Sequence, residues 1–203
     1  MAKAVIVSAL PYGGEIELCA GDLLIACDLG LKRCKEKSLV PDLVIGDFDS
    51  LGFVPADCPV MQAPAEKDDT DTMLAVREAL SRGYRDIRIC GAFGGRTDHL
   101  FANLQTLAFL AENGAKGALI GSADFAYLQG AGSALYPKTA GFSFSVFAWD
   151  SICRGVTLRG VQYPLENAEL TQHFPLGVSN AITAKAAEVT VREGRLLLIG
   201  SKL

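Results

Sequence analysis

Little in this chain points to export, to a membrane or to zinc. The six cysteines are Cys19, Cys27, Cys34, Cys58, Cys90 and Cys153. No two of them stand at Cys-x-x-Cys spacing, and His99 and His173 are the only histidines. A structural zinc site needs four such ligands at short spacing, so none is expected. No apolar run approaches the roughly 20 residues of a membrane span. The longest, such as Ala4 to Val7 and Leu196 to Ile199, are of strand length. Met1-Ala2-Lys3 leads straight into the first of these, without the apolar stretch or cleavage site of a signal peptide. The thiols are therefore read as reduced, mostly as small core residues, in a cytoplasmic protein. A basic excess is missing too. Against 23 Asp and Glu stand 19 Lys and Arg, a formal net charge of −4, so neither nucleic acid nor a membrane is an expected partner. The chain closes on Ser201-Lys202-Leu203, the form of a peroxisomal address, but a three-residue match arises easily by chance.

What is present is an ordinary foldable composition: 203 residues, 50% hydrophobic and 21% charged. That length buries a sizeable core without covalent staples. The charge is uneven. Residues 1–124 carry 18 acids and 12 bases, while residues 125–203 carry 5 acids and 7 bases. The pattern changes at the same place. In the first part Lys3 to Ala9, Asp22 to Cys27, Asp42 to Ile45, Asp86 to Cys90 and Gly117 to Ile120 read as buried strands. Such short, nearly continuous apolar runs suit a parallel sheet covered on both faces. Two helices are predicted between them, from about Thr70 to Arg82 and from about Asp98 to Glu112. In the second part, alternation around Phe142, Phe144, Val146 and Ala148 predicts a strand. Further strands are predicted over Ile152 to Leu158, Ala187 to Val191 and Leu196 to Ile199, with Glu193-Gly194 as a tight hairpin between the last two. The expected architecture is an α/β domain over residues 1–125, a mostly parallel sheet with helices on both faces. A connection near Gly130 to Lys138 leads to a small all-β sandwich over residues 135–203.

Chemistry concentrates between Asp47 and His99. Gly46-Asp47-Phe48-Asp49-Ser50 follows a strand, and carboxylates at the carboxyl edge of an open sheet are well placed for a hard cation. Glu66-Lys67-Asp68-Asp69-Thr70-Asp71 precedes a helix. One residue suffices to cap that helix, whereas four acids around one lysine repel one another unless a cation is near. Lys67 and Thr70 are candidate phosphate contacts. Gly94-Gly95-Arg96-Thr97-Asp98-His99 joins a strand to the second helix. Its glycines permit close approach to a ligand, and Arg96 can clamp a phosphate at two points. Asp98 reads equally as a ligand or an N-cap, and His99 as a packed or a catalytic imidazole. All three segments fall at strand-to-helix connections, as a magnesium–polyphosphate site requires. GxxxxGK[ST] and GxGxxG patterns are absent, which excludes a P-loop enzyme and a standard dinucleotide binder.

In this order the three segments resemble the thiamine pyrophosphokinase family, with its GDFDS-like turn, KDxTD segment and GGRxDH segment. Here these are Gly46 to Ser50, Lys67 to Asp71 and Gly94 to His99, with Asn103 one turn further on. The family's earlier Asp-Gly-Gly turn corresponds to Asp28-Leu29-Gly30, its first glycine replaced by Leu29. Nearer the C-terminus, Gly160 to Leu165 resembles the family's Gly-x-x-aromatic-x-Leu stretch, and Ser179-Asn180 its Ser-Asn pair. The resemblance implies a magnesium-dependent kinase that transfers a pyrophosphoryl group from ATP to thiamine, giving thiamine diphosphate and AMP. It also implies a homodimer with the vitamin bound at the subunit interface. On this reading Asp47, Asp49, Asp71 and Asp98 are catalytic, with Asp47, Asp49 and Asp71 holding magnesium. Asp28, Lys67, Asp68, Thr70, Arg96, His99 and Asn103 hold ATP, and Tyr163, Ser179 and Asn180 hold thiamine. Tyr163 reads equally as a core tyrosine, and Ser179-Asn180 as a turn. Two alternatives remain open from sequence: another magnesium-nucleotide transferase using an Asp-x-Asp site, and a nucleotide or thiamine diphosphate sensor without activity.

Overall fold

A computed structural model describes residues 2–64 and 69–203, which form two compact units, residues 1–122 and 123–203. In the first unit β1 (Ala4–Val7), β2 (Leu23–Cys27) and β3 (Leu43–Gly46) alternate with the short helix α1 (Gly30–Glu36). Then come β4 (Val60–Gln62), α2 (Asp71–Ser81), β5 (Asp86–Cys90), α3 (Thr97–Glu112) and β6 (Lys116–Ile120). All six strands pair in parallel, in the order β4-β3-β2-β1-β5-β6. β1, β2 and β3 are buried at every position, which is why they appear in the sequence as unbroken apolar runs.

Strand alternation divides these side chains between two faces. Val5, Val7, Leu24, Ala26 and Val44 pack with Leu31 and Cys34 of α1 and with Phe48. The intervening residues, among them Ile6, Ile25, Ile45, Ile87 and Ile89, are wholly buried on the face that α2 covers with Ala75, Val76 and Ala79. Helices thus lie on both faces, as the sequence predicts. Acids at the strand beginnings hold the sheet in register. Asp22 accepts from the backbone N–H groups of Lys3 and Cys19, each at 2.9 Å, and from Lys3 Nζ at 2.7 Å. Asp42 accepts from Leu24 N at 2.8 Å.

The second unit is antiparallel throughout. It contains β7 (Asp124–Gln129), β8 (Gly132–Pro137), β9 (Ser145–Ala148), β10 (Ile152–Arg159), β11 (Leu165–Thr171), β12 (Ala186–Val191) and β13 (Leu196–Ser201). β13 pairs with β7 and β9, while a second layer runs β11-β10-β12-β8. One core, with Phe144, Val146, Val156, Leu158, Val189, Leu196 and Leu198, fills the space between the layers. Two expectations need correction. The stretch read as a connection holds β8, whose alternation is masked by Gly132, Ser133 and Pro137. Glu193-Gly194 is not a hairpin between partners, because β12 and β13 belong to different layers. Arg154 bridges to Glu193, and the chain crosses there at Gly194, φ +89°.

All six cysteines are free, and Cys27, Cys34, Cys90 and Cys153 are buried. No helix among the described residues is long and apolar enough to cross a membrane.

Candidate active site

Three connections that follow strands of the first unit deliver one carboxylate each to the same point. Asp28 ends β2, Asp47 ends β3, and Asp71 opens α2. The pairing of β2 with β3 continues one step beyond the strands, through Asp28 N to Ile45 O at 2.9 Å, and this brings Asp28 beside the β3 turn. Gly46 keeps that approach open, since a Cβ there would stand 3.2 Å from Asp28 Cβ. The Cys27 thiol donates to Asp71 O at 3.5 Å, holding the start of α2 over the end of β2. The result is a cluster in which one oxygen each of Asp28, Asp47 and Asp71 lies within 4.8 Å of the others.

Asp28 is the unusual member. It is only 9% exposed and has φ +42°, a conformation rare without glycine. Its Oδ1 is buried with no hydrogen-bond partner among the described residues. Burial pushes its carboxyl above the ordinary value. The Ser50 hydroxyl, which bonds to it, opposes that rise, and the charges of Asp71 and Asp47 add to it. An orphaned buried oxygen on a carboxylate grouped with two others is costly unless something positive binds there. A hard divalent cation with oxygen ligands fits this donor set. Ser50 also lines a cavity of about 580 Å³ with Leu29, Lys32, Lys35, Leu51 and Phe53.

The sequence expectations divide here. Asp49 lies outside the cluster, exposed, and Asp28 takes the third position instead. The cause is Phe48, buried at φ +65°, which turns the chain so that Asp49 faces outward, its N–H donating to Asp47 Oδ1 at 3.2 Å. Thr70 is the N-cap of α2 and accepts from Met73 N at 3.1 Å. Lys67 and Asp68 lie outside the described residues.

In the glycine-rich turn, Gly91, Gly94 and Gly95 all have positive φ. Asp98 is not the N-cap of α3, since that position falls to Arg96 and the helix begins at Thr97. Asp98 instead holds the Arg96 guanidinium at two points, 3.1 and 2.6 Å, and this pairing draws its carboxyl down to about 2. Asp98 thus stands apart from the acidic cluster. His99 is exposed on the first turn of α3. Asn103, expected as an ATP contact, is 8% exposed and donates to Ala92 O at 3.0 Å, so it braces the glycine-rich turn from behind.

In the second unit Tyr163 is 59% exposed, which rules out the core-tyrosine reading. Ser179 is exposed at φ +56°. Asn180 is buried, and its amide is committed to the backbone of Tyr163 and Ala181. The family motif supplied the signal for Asp28 and Asn180, but not the direction of either side chain.

A parallel α/β sheet that gathers three carboxylates at its carboxyl edge, accompanied in the chain by a β-sandwich, defines a two-unit α/β-plus-β protein with an acidic site suited to a hard cation. Comparison with known proteins narrows this. The model of the thiamin pyrophosphokinase catalytic domain matches residues 17–116, and that of the thiamin pyrophosphokinase vitamin B1 binding domain matches residues 137–196. The chain is 30% identical to the thiamine pyrophosphokinase of Bacillus subtilis (strain 168) over 188 residues, 88% of this chain and 87% of that one. A crystal structure of thiamine pyrophosphokinase from Bacillus subtilis superposes with a TM-score of 0.89 at 26% identity, covering 99% of each chain. That of a thiamin pyrophosphokinase family protein from Enterococcus faecalis gives 0.85 at 30% identity over 100% of both chains. The chain belongs to the thiamin pyrophosphokinase family.

Proposed function

We propose that this protein transfers the pyrophosphoryl group of ATP to the hydroxyl of thiamine, releasing thiamine diphosphate and AMP. The observation that carries the reading is the Asp28–Asp47–Asp71 cluster with its unpartnered buried oxygen, in a chain of this family. These three residues would hold Mg²⁺, which when bound neutralises phosphate charge and stabilises the leaving nucleotide. The protein's own part is positioning. Attack on the β-phosphorus requires the triphosphate and the incoming hydroxyl to be held in line, and little covalent chemistry is left to side chains. Thr70 and the first turn of α2 face the phosphates, and Arg96 exchanges Asp98 for a phosphate oxygen. The nucleoside occupies the cavity beside Ser50, where Leu29, Leu51 and Phe53 offer apolar surface and Lys32 and Lys35 a charged rim. In the second unit the Tyr163 ring stacks on the cationic ring of the vitamin, and Ser179 contributes its hydroxyl.

We place the enzyme in the cytoplasm as a homodimer whose association completes the vitamin's site. The test is incubation with ATP, Mg²⁺ and thiamine followed by identification of the nucleotide product. AMP in step with thiamine diphosphate is expected. ADP would show single-phosphoryl transfer and overturn the reading.

A further inference from the structure

We infer that Asn180 is a positioning residue that serves the vitamin through Tyr163 and does not touch it, an inference that rests on the assignment of Tyr163 as the thiamine contact. Asn180 is 3% exposed. Its Oδ1 accepts from Tyr163 N at 3.0 Å and from Ala181 N at 2.9 Å, and its Nδ2 donates to Tyr163 O at 2.8 Å. Both acceptor positions of the amide oxygen are therefore filled, and only one amide hydrogen is uncommitted. The orientation is unambiguous. Rotating the amide by half a turn would set its NH₂ against two backbone N–H groups and its oxygen against a carbonyl.

The neighbouring bonds show what this clamp holds. Asn180 O accepts from Phe144 N at 2.8 Å, which fastens the clamp to the sandwich core. Gln162 N donates to Ala181 O at 2.8 Å, Val161 bridges to Ile182, and Thr183 N donates to Gly160 O at 2.9 Å. Gly160, at φ +72°, has no room for a side chain, since a Cβ there would fall 2.5 Å from Ala186 O. The segment from Gly160 to Tyr163 is thus tied down along its length, and its last residue presents a 59% exposed aromatic ring. One buried side chain fixes both backbone groups of this exposed residue. With the backbone held in this way, only the side-chain torsions of the ring are left to be ordered when a flat cation stacks on it, and that saving is worth affinity.

The test is a double-mutant cycle read in the Michaelis constants. Asn180→Ala is expected to raise KM for thiamine roughly ten-fold, the loss expected from a displaced stacking ring, and to leave KM for ATP unchanged. In a Tyr163→Ala background the same substitution should add less than about two-fold, because the ring it positions is gone. A full ten-fold increase in both backgrounds would mean that Asn180 meets the vitamin directly, and would overturn the inference. Equal rises in both Michaelis constants would reduce Asn180 to a general structural role and overturn it as well. If Asn180→Ala does not fold, Asn180→Asp keeps the acceptor oxygen and loses the donor. Tyr163 O then loses its donor, so KM for thiamine should still rise while KM for ATP holds, and an unchanged KM for thiamine would contradict the clamp. Wild-type protein that leaves thiamine unmodified would remove the underlying assignment instead, and this is seen before any variant is made.

Discussion

Gly30 sits so close under β1 that a Cβ on it would fall 1.9 Å from the carbonyl oxygen of Val7. This contact explains why the second glycine of the family's Asp-Gly-Gly turn is kept here. Leu29 adopts an ordinary right-handed conformation, φ −56° and ψ −15°, and needs no glycine. Gly30→Ala should therefore destabilise the fold by about 1–3 kcal/mol, the usual cost of overpacking, and move Asp28 with it. Leu29→Gly should cost only about 0.5–1 kcal/mol, mainly through the unfolded chain. Thermal unfolding of the two variants checks this ordering, and equal losses would contradict it.

Asp28→Asn and Asp71→Asn should each reduce turnover by about 10²-fold or more, the scale for removing one preorganised electrostatic group. Without metal, Asp28→Asn should also melt no lower than wild type, since it relieves crowding among like charges. Added Mg²⁺ should raise the Tm of wild type and leave that of Asp28→Asn unmoved. Asp49→Asn, outside the cluster, should lose much less activity than either. The comparison is made on purified variants with matched folding, and equal losses at Asp49 and Asp28 would return Asp49 to the metal site.

The Asp22 clasp predicts a pH window. Its carboxyl is drawn from 3.8 down to about 2, first by the hydrogen bond from Lys3 Nζ and then by the backbone N–H groups of Lys3 and Cys19. A folded-state value below the unfolded one gives stability that is complete above the ordinary value and is lost as pH falls through about 2. Asp22→Asn should therefore melt below wild type at pH about 6, and the gap should narrow at pH about 2.5. A gap independent of pH would show that the clasp acts without its charge.

Much of this was legible in the sequence, and the failures have physical causes. The buried parallel strands were plain because continuous apolar runs have few other uses. α1 was not, since seven residues with only Leu31 and Cys34 as apolar buried positions give too short a period. β11 escaped because it is largely exposed and polar, with only Leu170 fully buried. At the site, Asp47-Phe48-Asp49 looks like a natural pair of ligands, but the buried left-handed Phe48 separates them, and backbone handedness is not written in residue types. Asn103 and Asn180 stand at the motif positions, and the structure commits amide groups of both to nearby backbone. A motif records which residue is needed and not whether it faces the ligand or the backbone behind it.

Dilution tests the proposed homodimer. Phe144 and Val146 are buried in the sandwich core, while Phe147 and Trp149 from the other side of that strand are only half-buried. If association completes the vitamin's site, specific activity should fall as the dimer dissociates. Light scattering and an activity assay over one dilution series check this, and a fully active monomer would contradict it.

The most direct measurement uses ATP carrying radioactive phosphorus at the β position, with Mg²⁺ and thiamine. The account predicts that the label leaves the nucleotide, appears in thiamine diphosphate, and does so in step with unlabelled AMP. Label retained in ADP, or label released as free pyrophosphate with thiamine unmodified, would contradict pyrophosphoryl transfer to the vitamin.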